Sequence, residues 1–291
     1  MVIVYLKGGL GNQLFQYAVG RHLAEIHKTE VKMDISAYDY DGPREYFLGP
    51  FNFKQNFATP EEIKNFTDIK QGKYKQWLYK LFHNHPKLPE SFVRYNLTVF
   101  NPDIFKLPDN VYMEGYFCSE KYFIDVADII RKEFSFRDSQ TGKIKDIADE
   151  ISSCMSVSIH VRRGDYVSDS KSYHTHGTCS LDYYHLCINE LAEKVEQPHF
   201  FVFSDDPLWA RENLGLQHPA VYVDHNPPEK PHEDLRLMSQ CNHNIIANST
   251  FSWWGAWLNN HEDKIVYVPK KWFTKKNKND EGIIPLRWTR K

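Results

Sequence analysis

Apolar runs of strand length alternate with helical patterns along the second half of the chain. Each run has the length and composition of a buried strand, and the segments between the runs carry apolar residues near the helix period. A repeat of strand and helix is typical of a parallel α/β sheet. The predicted strands cover residues 155–159, 200–203, 221–223, 244–247 and 265–268, and the last of these closes the sheet.

The first half of the chain begins with the same pattern. A strand at residues 2–6 is followed by a glycine turn, a helical pattern and a second strand at residues 31–35, which together make a βαβ start. The pattern weakens between residues 36 and 108, where one helix is predicted at residues 73–82. Insertions of this kind usually cover one side of a site. The remaining predicted elements are a strand at residues 111–114 and helices at residues 119–134 and 143–154.

The chain length favours two domains. Its 291 residues are long for one domain and can bury a sizeable core. The regular repeat of the second half starts near residue 150, so we place the boundary there, with an N-terminal lobe at residues 1–150 and a C-terminal lobe at residues 151–291. Two lobes create a cleft between them.

The composition of the chain limits the classes of partner and favours one cellular compartment. A net charge of -2 with 25% charged residues argues against nucleic acid as the main partner. Residues 264–291 carry nine Lys or Arg and two acidic residues, which suits either peripheral contact with an anionic membrane surface or a solvated tail. Five cysteines without a CxxC pair, no charged leader and no apolar stretch of about 18 residues predict a cytoplasmic protein.

Polar groups follow three of the predicted strands. The ends of parallel strands open on one edge of a sheet, and this edge would carry two arginines, hydroxyls and the backbone N–H groups of a helix start. That is the chemistry of a diphosphate pocket, although a salt-bridged surface loop is the alternative for the arginine cluster. Asp205 and Asp206 either accept hydrogen bonds from a ribose or base or form a helix-starting turn before a proline. The three groups are His160 to Asp165, Ser204 to Asp206, and Asn248 with Ser249 and Thr250.

The glycine turn after the first strand lets backbone approach a ligand closely. Gly8, Gly9 and Gly11 match neither GxGxxG nor the P-loop, because no Lys-Ser/Thr pair follows. Asn12 stands at the entrance of the following helix. It either caps that helix or reaches a substrate in the cleft.

Two metal-like patterns are weak. Asp39-Tyr40-Asp41 has DxD spacing but lies in a loop of the first half, away from the phosphate candidates, and the pattern favours an ordinary solvated turn. His174-Thr175-His176 has no third ligand at a suggestive spacing. We therefore expect no metal. The three tryptophans after Thr250 are predicted to pack the start of their helix.

Four motifs together resemble the α-1,2-fucosyltransferases, whose bacterial members make surface polysaccharides. The arginine motif alone is shared with α-1,6- and protein O-fucosyltransferases, whereas the first and last motifs are specific to the α-1,2 group. The resemblance covers nearly the whole chain, and residues 115–117 and 119–123 add further matches. The motifs are residues 8–18 (GGLGNQLFQYA), 160–166 (HVRRGDY), 203–206 (FSDD) and 248–256 (NSTFSWWGA).

This resemblance implies a fold and a reaction. The fold is of the GT-B type, an α/β architecture with two Rossmann-like lobes, the first on the acceptor side and the second binding the donor. The donor is GDP-β-L-fucose, no metal or other cofactor takes part, and the product is an α-fucoside formed with inversion. Without a metal, the charge on the leaving GDP must be met by guanidinium and helix N-terminal groups.

The resemblance also implies roles for particular residues. Arg162 would bind the β-phosphate, and Asn12 would lie beside the reacting sugar. His160 and Arg163 would support the donor site. From their chemistry, Asp165 and His160 are also the candidates for a general base, although Asp165 could instead hold an arginine by a salt bridge. Cys118 stands where many relatives have Gln, which leaves the acceptor side open. The remaining residues expected around the donor are Asp205, Asn248, Ser249, Thr250 and Phe251.

The leading hypothesis from the sequence is transfer of L-fucose from GDP-fucose to the 2-hydroxyl of a terminal galactose-type residue. The acceptor would be an oligosaccharide or a lipid-linked glycan. One alternative is a fucosyltransferase of another linkage, such as α-1,6. The other is a non-catalytic protein that binds a nucleotide sugar without turnover.

Overall fold

The computed structural model describes residues 1–39, 44–67, 91–95, 99–275 and 279–291. Within these ranges the strands form two parallel sheets, which confirms the predicted α/β class. The first sheet contains β1 Val2–Tyr5, β2 Val31–Asp34, β3 Phe92–Arg94 and β4 Val111–Glu114. The second contains β5 Met155–Val161, β6 Pro198–Ser204, β7 Ala220–Val223, β8 His243–Ile245, β9 Val266–Val268 and β10 Thr289–Arg290.

Helices connect these strands. In the described ranges they are α1 Leu10–Ile26, α2 Pro60–Thr67, α3 Ala127–Glu133, α4 Gly142–Ser153, α5 Gly164–Ser168, α6 Ser170–His176, α7 Leu181–Lys194, α8 Pro207–Asn213, α9 Pro231–Gln240 and α10 Thr250–Leu258. Short 3-10 helices occur at Ser36–Tyr38, Pro102–Lys106, Glu120–Tyr122 and Ile124–Val126. None of the helices within those ranges is long and apolar enough to cross a membrane.

The strand order of each sheet reverses beside its first strand. The first sheet has the order β2-β1-β4-β3, and the second has the order β10-β9-β8-β5-β6-β7. In open α/β sheets, ligands bind outside the carboxyl ends of the strands where the order reverses. The loops after β1 and β4, and those after β5 and β8, are therefore the places where the fold favours a site.

One hydrophobic core joins the two sheets. Phe15 of α1 lies 4.6 Å from Trp253 and 4.9 Å from Trp254 of α10, measured between ring centroids. Phe123 stacks on Trp254 at 5.1 Å. Both tryptophans are fully buried, which confirms that they pack the start of this helix. The start of α1 is thereby held against the start of α10.

Two predicted elements differ from the structure. The helix expected at residues 119–134 is two 3-10 turns followed by α3, because Phe123 has an extended φ of -150° and buries its ring together with that of Tyr122. The strand at residues 265–268 does not close the sheet, since β10 pairs beyond it. β3 was not predicted. The helix expected at residues 73–82 lies outside the described residues.

Candidate active site

A cleft of about 890 Å³ is lined by loops that follow strands of both sheets. The loops after β1 and β4 form one wall, and the loops after β5, β6, β7 and β8 form the other. The three strand ends that carry polar groups in the sequence belong to β5, β6 and β8, which are adjacent in the second sheet. The prediction that these groups share one edge is confirmed.

Arg162 leaves the end of β5 and enters the cleft. Its Nη1 lies 2.8 Å from Oδ2 of Asp205, and its guanidinium lies over the ring of Tyr166 at 5.4 Å. The other carboxylate oxygen of Asp205 accepts the backbone N–H of Arg163 at 2.8 Å. Asp205 therefore holds the loop that carries Arg162 and Arg163. The sequence analysis offered this role as an alternative for Asp165.

Arg163 turns toward α8 and not toward the cleft. Its Nε lies 3.1 Å from Oδ2 of Asp206, and its guanidinium lies 3.8 Å from the ring centroid of Trp209. Asp206 also caps α8 by accepting the N–H of Trp209. Of the two interpretations of Asp206, a contact with a ribose or base and a helix-starting turn, the turn is confirmed.

His160 is a buried neutral imidazole at the floor of the cleft. Burial and the nearby charge of Arg162 lower the pKa of His160 to about 3. Its Nδ1 has no hydrogen-bond partner within the described part of the chain, and its ring lies 5.5 Å from that of Phe251. A buried polar atom without a partner costs free energy, so this nitrogen is available to a ligand.

The N-terminus of α10 opens into the same cleft. Ser249 caps this helix, and its hydroxyl accepts the N–H of Phe251 at 3.3 Å. Thr250 donates its hydroxyl hydrogen to Oδ1 of Asn12 at 3.0 Å, so the two walls of the cleft touch here. A helix N-terminus favours anions through its N–H groups and its dipole.

The glycine turn comes into close contact with that helix. The first residue of α1 is Leu10 and its N-cap is Gly9, so the interpretation of Asn12 as a cap is wrong. Gly11 packs so closely on Thr250 that an added Cβ would lie 2.4 Å from its carbonyl carbon. Gly9 and Gly11 line the cleft, whereas Gly8 supplies the left-handed φ of 81° at the turn.

Asn248 uses its amide to hold neighbouring loops. Its Nδ2 donates to the carbonyl oxygens of His176 at 2.9 Å, Gly177 at 3.3 Å and Trp272 at 3.2 Å. The ring of His176 stacks on that of Tyr166 at 4.8 Å. Asn248 therefore positions the wall of the cleft beside Arg162.

Some sequence candidates lie outside the described residues. The side chain of Asp165 lies outside what the structure describes, as do Tyr40 and Asp41 of the DxD pattern. Among the described residues, no group of three His, Cys, Asp or Glu side chains could hold a metal ion.

The sequence reasoning did not identify two further groups of cleft residues. Asp234 of α9 lines the cleft with Asn226, whose amide donates to its carboxylate, and burial raises the pKa of Asp234 to about 6. Lys7 and Tyr116 line the opposite wall. No sequence motif around Asp234 could have identified it. Tyr116 could have been found, because it follows the end of a predicted strand.

Loops of two open α/β sheets line one cleft, and comparisons with known proteins give the class, glycosyltransferase, and the family. Residues 1–290 match Glycosyl transferase family 11, and the chain belongs to that family. It is 31% identical to an α-1,2-colitosyltransferase of Escherichia coli, over 100% of this chain and 98% of the relative. It is 33% identical to the O-antigen biosynthesis glycosyltransferase WbnK of Escherichia coli, over 94% and 95%.

Two more distant proteins are also similar to this chain. The human galactoside α-(1,2)-fucosyltransferase 1 is 22% identical over 88% of this chain and 64% of its own length. The crystal structure of the NodZ α-1,6-fucosyltransferase soaked with GDP-fucose has a TM-score of 0.50 and 14% identity, and covers 88% of this chain and 91% of its own. That likeness shows a shared fold. The resemblance to α-1,2-fucosyltransferases is confirmed.

Proposed function

We propose that this enzyme transfers L-fucose from GDP-β-L-fucose to the 2-hydroxyl of a terminal galactose-type residue, with inversion and without a metal. The observation that carries the proposal is that Arg162 and the N-terminus of α10 line the same cleft. They follow β5 and β8, the two strands that flank the reversal of strand order. The names of the α-1,2-specific relatives support transfer to a 2-position.

The cleft suits a nucleoside diphosphate. Arg162 is oriented by Asp205, so it can meet the charge that grows on the leaving diphosphate without reorganising. The N–H group of Thr250 can bind the same oxygens, and that of Phe251 can do so in place of its 3.3 Å hydrogen bond to the Ser249 hydroxyl. We propose that Asp234 accepts hydrogen bonds from the N1–H and N2–H groups of guanine, because a carboxylate offers two acceptors to that edge.

Asp165 is our proposed general base. A pKa of about 3 makes His160 a poor proton acceptor at neutral pH, which leaves Asp165 as the other candidate in the motif. Asp165→Asn should lower kcat while leaving the Kd for GDP unchanged. A variant with the wild-type kcat would remove Asp165 from the mechanism.

A second donor is favoured by one relative. The 31% identical relative is a colitosyltransferase, and colitose is L-fucose without its 3-hydroxyl. A site that hydrogen-bonds the 3-hydroxyl should discriminate strongly against the deoxy sugar, by about 10⁴-fold or more, whereas an apolar site should not. Comparing kcat/KM for GDP-fucose and GDP-colitose decides between these donors.

We propose two lobes, with a boundary near residue 150. The first sheet ends at Glu114 and the second starts at Met155, which supports this division. The cytoplasmic location and the membrane contact stay predictions. Several charges of the basic C-terminus already have partners, since Arg287 pairs with Glu120 and Arg290 with Asp280. Cosedimentation with anionic vesicles would test the contact.

Turnover is the test of this function. The protein is incubated with GDP-fucose and lactose, with and without EDTA. Release of GDP that depends on lactose and survives EDTA is expected, and NMR of the product should show an α-1,2 linkage. A product of another linkage would favour the α-1,6 type of enzyme. GDP binding without turnover across a panel of galactosides would favour a binding protein.

A further inference from the structure

We propose that Tyr116 is the platform on which the acceptor sugar stacks, with Lys7 beside it. This inference rests on the proposed function and extends it to the acceptor half of the cleft. Tyr116 lies two residues after β4, and Lys7 lies two residues after β1. These strands are neighbours in the first sheet, at its reversal of strand order. The first sheet therefore contributes its own binding edge to the cleft, opposite Arg162.

The exposure of Tyr116 distinguishes it from the aromatic residues around it. Its side chain is 48% exposed, whereas the neighbouring Phe117 and Tyr122 are 3% and 4% exposed. An exposed aromatic ring on the wall of a cleft offers a flat apolar face to a ligand. Scattered exposed aromatics are common on protein surfaces, so the way the backbone holds this one is the stronger argument.

The backbone turn that presents Tyr116 is held in place at several points. Phe117 has a left-handed φ of 50°, which is a rare conformation for a bulky residue and costs about 1–3 kcal/mol. Its ring compensates by packing edge-on against Tyr122 at 5.7 Å and Tyr95 at 5.8 Å. Because Phe117 turns inward, the preceding side chain of Tyr116 is left at the cleft.

Gly115 and Gln16 complete this turn. A Cβ on Gly115 would lie 2.8 Å from the ring of Phe117, so only glycine fits without a shift. The buried Gln16 donates its amide hydrogen to the carbonyl oxygen of Gly115 at 3.0 Å and accepts the N–H of Lys7 at 3.0 Å. One side chain thus ties together the loops that carry Tyr116 and Lys7.

The groups around the ring indicate the chemical class of the ligand. Nζ of Lys7 lies 5.2 Å from the ring centroid of Tyr116 and 2.9 Å from Oε1 of Glu114. A pyranose such as galactose has one apolar face of C–H groups and a rim of hydroxyls. The ring would cover the face, and the ammonium group would donate to the hydroxyls. The predicted ligand is a neutral terminal galactoside.

The experiment compares Tyr116→Ala and Tyr116→Phe with the wild-type enzyme. Tyr116→Ala should raise the KM for lactose on the order of tenfold, as expected for the loss of one aromatic contact. The KM for GDP-fucose and the Kd for GDP should stay within about twofold, since the donor wall is intact. Tyr116→Phe keeps the face and should stay within about threefold of the wild-type lactose KM.

Tyr173→Ala is the matched control, because Tyr173 is 53% exposed on α6. An unchanged lactose KM in Tyr116→Ala would overturn the inference, as would a rise in the KM for GDP-fucose instead. If the wild-type protein transfers no sugar, the proposed function fails separately. Saturation-transfer NMR with methyl β-galactoside and GDP then tests the subsite. A signal lost in Tyr116→Ala supports it, and equal signals, or none with the wild type, overturn it.

Discussion

At the scale of single residues, the sequence predicted the position of Arg162 but not its carboxylate partner. The arginine pair at a strand end predicted an anion site, because Arg suits phosphate and strand ends gather at one sheet edge. The partner could not be chosen, since three carboxylates stand near the motif in sequence or across strands. The pairing of Val161 with Ser204 in the parallel register brings Asp205 next to Arg162.

Arg162→Ala should remove most of the activity while the fold survives. Loss of such a charge partner costs about 2–5 kcal/mol, so kcat/KM should fall roughly 30-fold to several thousandfold. Steady-state kinetics measure the loss, and circular dichroism checks folding. Arg290→Ala is the control. Arg290 lies on the edge strand β10 and pairs with Asp280, and its removal should change kcat/KM little. A folded Arg162→Ala enzyme with wild-type kcat/KM contradicts the phosphate assignment.

The role proposed for Asp234 predicts that GDP binding depends on pH. Its pKa is raised to about 6 by burial, so the carboxylate form that we propose to accept from guanine is lost as the pH falls through 6. The advantage of wild type over Asp234→Asn in GDP affinity should therefore shrink by up to about tenfold per pH unit below 6. Titration of the GDP phosphate affects both proteins alike. Calorimetry at pH 5 and pH 7.5 measures the ratio, and a constant ratio would rule out this role.

At the level of elements, the junction of α1 with α10 decides the shape of the cleft. The sequence predicted both helices and their positions after strands, because period and turn residues are local signals. It could not predict that Gly11 packs on the backbone of Thr250, since this contact joins residues far apart in the chain. Trp254 strengthens the junction by donating its indole N–H to the carbonyl oxygen of Gly11 at 3.0 Å.

Gly11→Ala should therefore destabilise the protein, although alanine normally favours a helix over glycine. The added methyl group would meet backbone and not a flexible side chain, and overpacking of this kind costs about 1–3 kcal/mol. The free energy of unfolding in urea gives the effect. Gly49→Ala is the control, because an added Cβ there meets nothing within 4 Å, and it should stay within about 0.5 kcal/mol of wild type. Equal stability of the two variants would show that the junction is looser than described.

At the scale of the whole molecule, the sequence predicted the two parallel sheets but not the hydrophobic core that joins them. Alternation of strands and helices specifies the architecture, and the motifs at strand ends specify the edge that carries the site. The continuous core through Phe15, Phe123 and Trp254 depends on long-range packing, which local patterns do not encode. The wall that carries Tyr116 was equally hidden, because the exposure of Tyr116 follows from the backbone of Phe117.

A crystal structure of the protein with GDP tests the central claim most directly. The account predicts that the β-phosphate lies within hydrogen-bond distance of the Arg162 guanidinium and of the backbone N–H groups at Thr250 and Phe251. The guanine edge should face the carboxylate of Asp234. GDP bound elsewhere, or bound in the cleft with its β-phosphate away from Arg162, would contradict the account.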